Sequence, residues 1–310
     1  MTVTASAPGK LIILGEHAVV YGKPAIALAI DRRIKCTLSK SSETTINGKP
    51  FDGDKHPYIT RMLTPCPHPV KIETESSIPP GSGLGSSAAL SASFLKALGK
   101  LIGNEADEET LANAAFRVEY DVQGGASPLD TSASTHGFGI ALNAPEDAGR
   151  HLWDISMKGR KWSVRDIAIP EMTLVVGYTG LHAATGPLVE KVRRYKDKNT
   201  FAADIVNEIG TITEDGLNAL RNGDLVKLGK LMTQDHKLLS ILGVSCNELN
   251  KLVDASLKYS YGAKLTGAGG GGSMMALTDN PDKVCDSIAL HGGRPFVVRT
   301  GVPGAKFEII

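Results

Sequence analysis

No stretch of the 310 residues approaches the ~20 consecutive apolar positions that a membrane helix requires, so no membrane partner is expected. Residues 1–10 carry no charged segment followed by an apolar core, so no secretory signal is read there. Cysteine is scarce. Cys36, Cys66, Cys246 and Cys285 lie far apart, without a C-x-x-C pair or a histidine at ligand spacing, which argues against a zinc site or a disulfide framework. Reduced thiols and a cytoplasmic location are the expectation. Charge of one sign is missing too: 34 Lys+Arg against 33 Asp+Glu leaves a formal +1. Neither nucleic acid nor an anionic surface would be attracted to such a chain in general. Aromatic residues are only 5% and form no strip with basic ones, which counts against RNA binding. With 42% hydrophobic and 22% charged residues, disorder is not expected either. At roughly 100–200 residues per domain, the length suits two domains or one large one.

Glycine is plentiful: 34 residues, clustered in particular places. Residues 2–6 and 10–14 read as strands split by Pro8-Gly9, and 25–30 and 34–38 as two more. Residues 41–57 are polar and turn-rich, as in a surface hairpin. Residues 70–75 alternate like a half-buried strand. Leu90, Phe94, Leu98 and Leu101 recur at helical spacing, so a helix begins near Ser86. A second helix is expected over 105–121, a loop over 123–135 and a strand over 139–142. A domain boundary falls within 143–171, which divides the chain into 1–165 and 166–310. Beyond it come a strand (172–178), four helices (186–197, 200–221, 224–242, 246–259), a strand pair around a glycine run, a helix (281–290) and a last strand (296–299). The sum is an α+β chain with a helix-rich second half.

Four motifs carry chemistry. Pro79-Pro80-Gly81-Ser82-Gly83-Leu84-Gly85-Ser86-Ser87 precedes a helix start, where free N–H groups and the positive dipole end suit phosphates. No Lys follows its last glycine, so it is not the G-x-x-x-x-G-K-[ST] loop. Ala7-Pro8-Gly9-Lys10 with Gly15-Glu16-His17-Ala18-Val19-Val20-Tyr21-Gly22 sets a Lys, a Glu and a His in a turn-punctuated strand region; taken alone it could be a hairpin surface. Glu119, near a helix end, and Asp130, beyond Gly124-Gly125, could divide the work of metal ligand and proton acceptor, although each alone reads as a solvated charge. The run Thr266-Gly267-Ala268-Gly269-Gly270-Gly271-Gly272 lies between strands, where close backbone approach to a ligand is more plausible than a linker. His136, His151, His182 and His236 are isolated and read as structural or surface residues. The basic run from Lys191 to Lys196 reads as a solvated helix face that could alternatively guard a cleft.

These motifs, in this order, resemble the GHMP kinase superfamily, and within it the archaeal variety of the branch that phosphorylates mevalonate. The resemblance spans residues 7–272. It implies a two-domain fold: an N-terminal domain like ribosomal protein S5 domain 2 and a ferredoxin-like C-terminal domain with extra helices. ATP and substrate would share the cleft between them. It further implies that Pro80, Gly81, Ser82, Gly83, Leu84, Gly85, Ser86 and Ser87 wrap the ATP phosphates. Glu119 and Ser86 or Ser87, with Ser87 favoured, would hold Mg2+. Asp130 would accept the proton of the primary hydroxyl, and Lys10 would stabilise transition-state charge beside it. Glu16, His17, Ser127, Thr185, Gly269 and Gly270 would line the substrate pocket, and a homodimer is common among such proteins. The sequence departs from eukaryotic members in two places. The stretch ending at the Asp reads Gln123-Gly124-Gly125-Ala126-Ser127-Pro128-Leu129-Asp130, without its usual His; a stretch normally carrying Arg reads Ala183-Ala184-Thr185-Gly186. Kinases of phosphomevalonate or homoserine, and a non-catalytic ATP-binding regulator, are the alternatives.

Overall fold

The computed structural model describes residues 1–182 and 184–309; Ala183, in the second departing stretch, lies outside them. β1 (Thr2–Leu14) and β2 (Ala25–Lys40) form a long antiparallel pair, from Thr2 opposite Ser39 to Leu14 opposite Ile26. The expected break at Pro8-Gly9 does not occur. The register shifts between Pro8 and Lys10, so the turn signal marks a bulge that bends β1 without ending it. β2 likewise runs on through Asp31-Arg32-Arg33. β3 (Thr45–Ile46) and β4 (Lys49–Pro50) form the expected surface hairpin around Asn47-Gly48.

α1 (Pro57–Leu63) and β5 (Val70–Ser76) follow, then α2 (Ser86–Ile102) and α3 (Glu108–Gln123). α4 (Leu129–His136) corrects the expected loop: it is a helix built from small polar residues, with Thr131, Ser132, Ser134 and Thr135 all buried. Such a sequence has no apolar stripe to reveal it, because short side chains let the helix sit close on β1, α2 and α3. β6 (Gly139–Leu142), β7 (Arg150–Met157) and β8 (Arg160–Asp166) complete the first group. β9 (Thr173–Tyr178) opens the second, followed by α5 (Thr185–Lys198), α6 (Thr200–Arg221), α7 (Leu225–Ile241) and α8 (Asn247–Leu257). Last come β10 (Gly262–Thr266), β11 (Ser273–Leu277), α9 (Pro281–Leu290), β12 (Arg294–Arg299) and β13 (Lys306–Phe307).

Two sheets organise these elements. The larger has the order β4-β3-β5-β2-β6-β8-β7, with β1 on β2 and β13 on β1; the smaller is β10-β11-β9-β12 and antiparallel throughout. The chain end therefore returns to the first sheet. Arg33 holds it there, donating to the carbonyls of Pro303 (2.8 Å) and Gly304 (2.7 Å). α2 buries Phe94, Leu98 and Leu101 against β1 and β2. One apolar core continues from these residues into Leu174, Val176, Met275 and Leu277 of the smaller sheet. That sheet's other face packs Val175, Met274 and Ala276 with Val206, Leu239 and Leu252 of the helices. The shared core sets the two sheets in a fixed relation, with a cleft between them.

Candidate active site

The chain leaves β5 through residues 77–85 and enters α2 at Ser86. Gly81, Gly83 and Gly85 have φ values of +68°, +77° and +75°, so every second residue of the loop is left-handed. Gly85 caps α2, whose first N–H groups have no partner in the helix, and the positive dipole end adds to them. Gly81, Gly83, Gly85, Ser86 and Ser87 line a cavity of about 690 Å³. The alternate members of the loop brace it. Pro80 offers its carbonyl to the Tyr178 hydroxyl (3.1 Å), Ser82 donates to Pro79 O (2.7 Å), and buried Leu84 accepts the Lys10 amide at 2.9 Å.

β1 delivers Lys10 into the same cavity. Its Nζ stands 3.1 Å from Asp130 Oδ2 and donates to Gly83 O at 3.1 Å; the side chain is 2% exposed. Asp130 sits in the first turn of α4. Beside it, Ser87 Oγ donates to Glu119 Oε1 (2.8 Å), as does Gln123 Nε2 (3.1 Å). Glu119 Oε2 is buried with no partner among the described residues. Burial pushes the Glu119 carboxyl up to about 7, with Asp130 adding to the rise and the Ser87 hydrogen bond and Lys10 opposing it. A hydroxyl next to a carboxylate with a spare oxygen suits a hard divalent cation. No group of three or more His, Cys, Asp or Glu side chains converges as a metal site among the described residues.

The turn after β1 forms another wall. His17, at φ +60°, gives its Nε2 proton to Ala268 O (2.9 Å), and burial keeps its imidazole below the ordinary pKa. Gly267 and Ala268 reach the cavity; Gly269 and Gly270 instead pack on Val244, whose carbonyl accepts the Gly270 amide at 2.7 Å. Gly267 also abuts the glycine loop before α2: a Cβ there would stand 3.2 Å from Gly83 O. Glu16, Ser127 and Thr185 lie on the cavity wall.

Residues 57–138 match the GHMP kinases N terminal domain, and residues 217–290 the GHMP kinases C terminal domain. The chain is 38% identical over 290 residues to a mevalonate kinase of Methanothermobacter thermautotrophicus, covering 89% of this chain and 90% of that one. It is 33% identical over 348 residues to the mevalonate kinase of Thermococcus sibiricus, covering 100% and 99%. The chain belongs to the GHMP kinase family. Its fold agrees. The L. major mevalonate kinase in complex with R-mevalonate superposes with a TM-score of 0.80 at 26% identity, over 96% of this chain and 95% of that one. The Methanococcus jannaschii mevalonate kinase does so with 0.77 at 26%, over 97% and 98%. This chain therefore has the two-domain GHMP kinase fold, and as a kinase of this family it uses ATP.

Several GHMP kinase wall residues were not legible beforehand. Lys158 and Arg160, at the tip of the β7–β8 hairpin, line the cavity, as do His182 and Arg193. His182 is thus an exposed histidine that also faces the cavity. Arg193 and Arg194 both pair with Glu190 at 2.7 Å; of the two, Arg193 lines the cavity. Most hidden is Lys264 of β10. It is fully buried, hydrogen-bonded to Glu16 Oε1 and 3.2 Å from Asp235 Oδ2 of α7. Burial pushes Glu16 up to about 8, Lys264 opposing and Asp235 adding. A lysine inside the apolar stretch Ala263-Lys264-Leu265 was the available signal, since a buried ammonium needs counter-charges.

Proposed function

We propose that this chain transfers the γ-phosphoryl group of ATP to the primary hydroxyl of mevalonate, giving 5-phosphomevalonate and ADP. The observation that carries the reading is the Lys10–Asp130 pair, 3.1 Å apart at the mouth of the phosphate loop. The chain-long identity to archaeal mevalonate kinases supports the choice of alcohol. Phosphoryl transfer demands mainly positioning and charge stabilisation, which few side chains can supply.

The placement of each group supports the following roles. The loop from Pro80 to Ser87 holds the triphosphate, its N–H groups and the α2 dipole facing the anion. Asp130 takes the hydroxyl proton as the alcohol oxygen bonds to the γ-phosphorus and the bond to the β–γ bridging oxygen breaks. Lys10 lends its positive charge to the transferring group. Ser87 and Glu119 would hold Mg2+, which would supply positive charge to neutralise the phosphates. Glu16, His17, Ser127 and Thr185 face the alcohol, and Gly269 and Gly270 shape the loop that brings Gly267 and Ala268 to the wall. The division at 165/166 is supported by β8 ending at Asp166 and β9 opening the other sheet at Thr173. A homodimer rests on what is common in the family, and a cytoplasmic location on four free cysteines.

Lys158 and Arg160 favour a second reading, a phosphorylated alcohol, because two cations exceed what one carboxylate needs. ADP release with mevalonate, phosphomevalonate, homoserine and galactose separates the two. Turnover with mevalonate alone supports the first reading. Turnover with phosphomevalonate alone replaces it.

A further inference from the structure

We propose that Lys264 and Asp235 are positioning residues that set the alcohol-binding wall: the chain Asp235–Lys264–Glu16 carries the second domain into the substrate side of the cavity. This rests on the reading above, in which Glu16 faces the alcohol.

The geometry is a set of three locks from one short stretch. Thr266 Oγ1 accepts the Ile12 amide at 3.0 Å. Lys264 Nζ holds Glu16, and Ala268 O holds His17 at 2.9 Å. Alternate residues of β10 and its loop thus grip successive points on β1 and the turn that follows it. The middle lock is the costly one. Glu16, Asp235 and Lys264 are 1%, 0% and 0% exposed, and two carboxylates share a single ammonium. A buried ion cluster is weak as a source of stability, because desolvation offsets the attraction. It fixes geometry by charge, since one ammonium must stay within reach of both carboxylates, although Asp235 Oδ1 and Oδ2, like Glu16 Oε2, have no hydrogen-bond partner among the described residues.

Two observations tie the cluster to a ligand. Glu16 lines the cavity, yet its Oε2 is buried without a hydrogen-bond partner among the described residues. A ligand hydroxyl would supply one, and the value of that bond depends on how firmly Oε2 is aimed. Asp235 does not line the cavity; among the described residues Lys264 is the cation it pairs with, and Glu16 also lies against it. It acts on substrate through Lys264 and Glu16. His17 and His236 are the other titratable groups close to this cluster, and burial lowers the pKa of both.

The test is steady-state kinetics of Asp235→Asn and of Lys264→Arg and Lys264→Met, with melting temperatures. Asp235→Asn keeps shape and one hydrogen-bonding oxygen, so the chain still folds. We expect KM for mevalonate to rise about tenfold, the equivalent of one charged hydrogen bond, while KM for ATP stays within about twofold. Lys264→Arg should recover most of the affinity that Lys264→Met loses. A lowered melting temperature with KM for mevalonate unchanged would reduce the cluster to a structural ion pair and overturn the proposal. So would an equal rise in both KM values. If the wild type instead turns over another alcohol of the panel, the substrate reading falls and the same split is read with that alcohol. A wild type silent on all of them overturns both.

Discussion

Lys10 reaches Asp130 only by lying along Gly85. A Cβ on Gly85 would stand 2.9 Å from Lys10 Cγ and 3.0 Å from Cε, while Nζ is held by Asp130 Oδ2 and Gly83 O, each at 3.1 Å. Both ends of the lysine are fixed, so its stem cannot yield. Gly85→Ala also places a side chain at φ +75°, at a cost of about 1–2 kcal/mol. The expected outcome is a folded protein whose kcat falls about tenfold or more as Lys10 is displaced. Circular dichroism and the ADP assay check it; wild-type kcat would mean that Lys10 need not sit here.

Asp130→Asn removes the proposed proton acceptor but leaves an oxygen for Lys10. The kcat should drop by about 10²–10⁴, the usual worth of general-base catalysis, with the fold intact. Near-wild-type turnover of ATP and mevalonate would remove Asp130 from the role of base.

The glycine loop before α2 was readable because its demands are local: glycines for the backbone path and Leu90, Phe94, Leu98 and Leu101 for the helix behind it. Lys10, Glu119 and Asp130 were readable only through their order along the chain. What escaped was non-local. Pro8-Gly9 looks like a turn in isolation, yet β2 pairs with β1 on both sides of it, and tertiary pairing turns the break into a bulge. α4 was hidden because its burial is achieved by Ser and Thr. Lys264 and Asp235 meet through the packing of α7 on β10, a contact that spacing along the chain does not encode.

Ser87→Ala and Glu119→Gln each remove one hard oxygen from the proposed Mg2+ site. Titration calorimetry should show MgADP binding weakened about tenfold or more, while ADP without metal binds as before. Glu119→Gln also removes a carboxyl that burial has lifted to about 7, so the variant loses no stability at neutral pH through lost charge pairing. Equal weakening of ADP with and without metal would place these residues in phosphate binding alone.

The end of α4 carries a pH-dependent brace. His136 Nδ1 meets Glu108 Oε2 at 3.1 Å, and its Nε2 lies 3.6 Å from Asp166 Oδ1, which also pairs with Arg150 at 3.1 Å. Burial opposes protonation of His136, but the hydrogen bond and charge of Glu108, followed by Asp166, outweigh it and raise its pKa above the ordinary 6.5. A folded-state pKa above the unfolded one means the native state holds the proton more tightly. Its stabilisation is complete below the unfolded value and is lost as pH climbs through the folded one. The melting temperature of wild type should therefore exceed that of His136→Gln most at about pH 6, and the gap should narrow toward about pH 9. Since α4 also presents Asp130 in its first turn, the same loosening should lower the protection factors of residues 129–136 in the alkaline samples, taken relative to the base-catalysed intrinsic exchange rates. A gap that stays constant across this range would mean that His136 braces the helix by packing and not by charge.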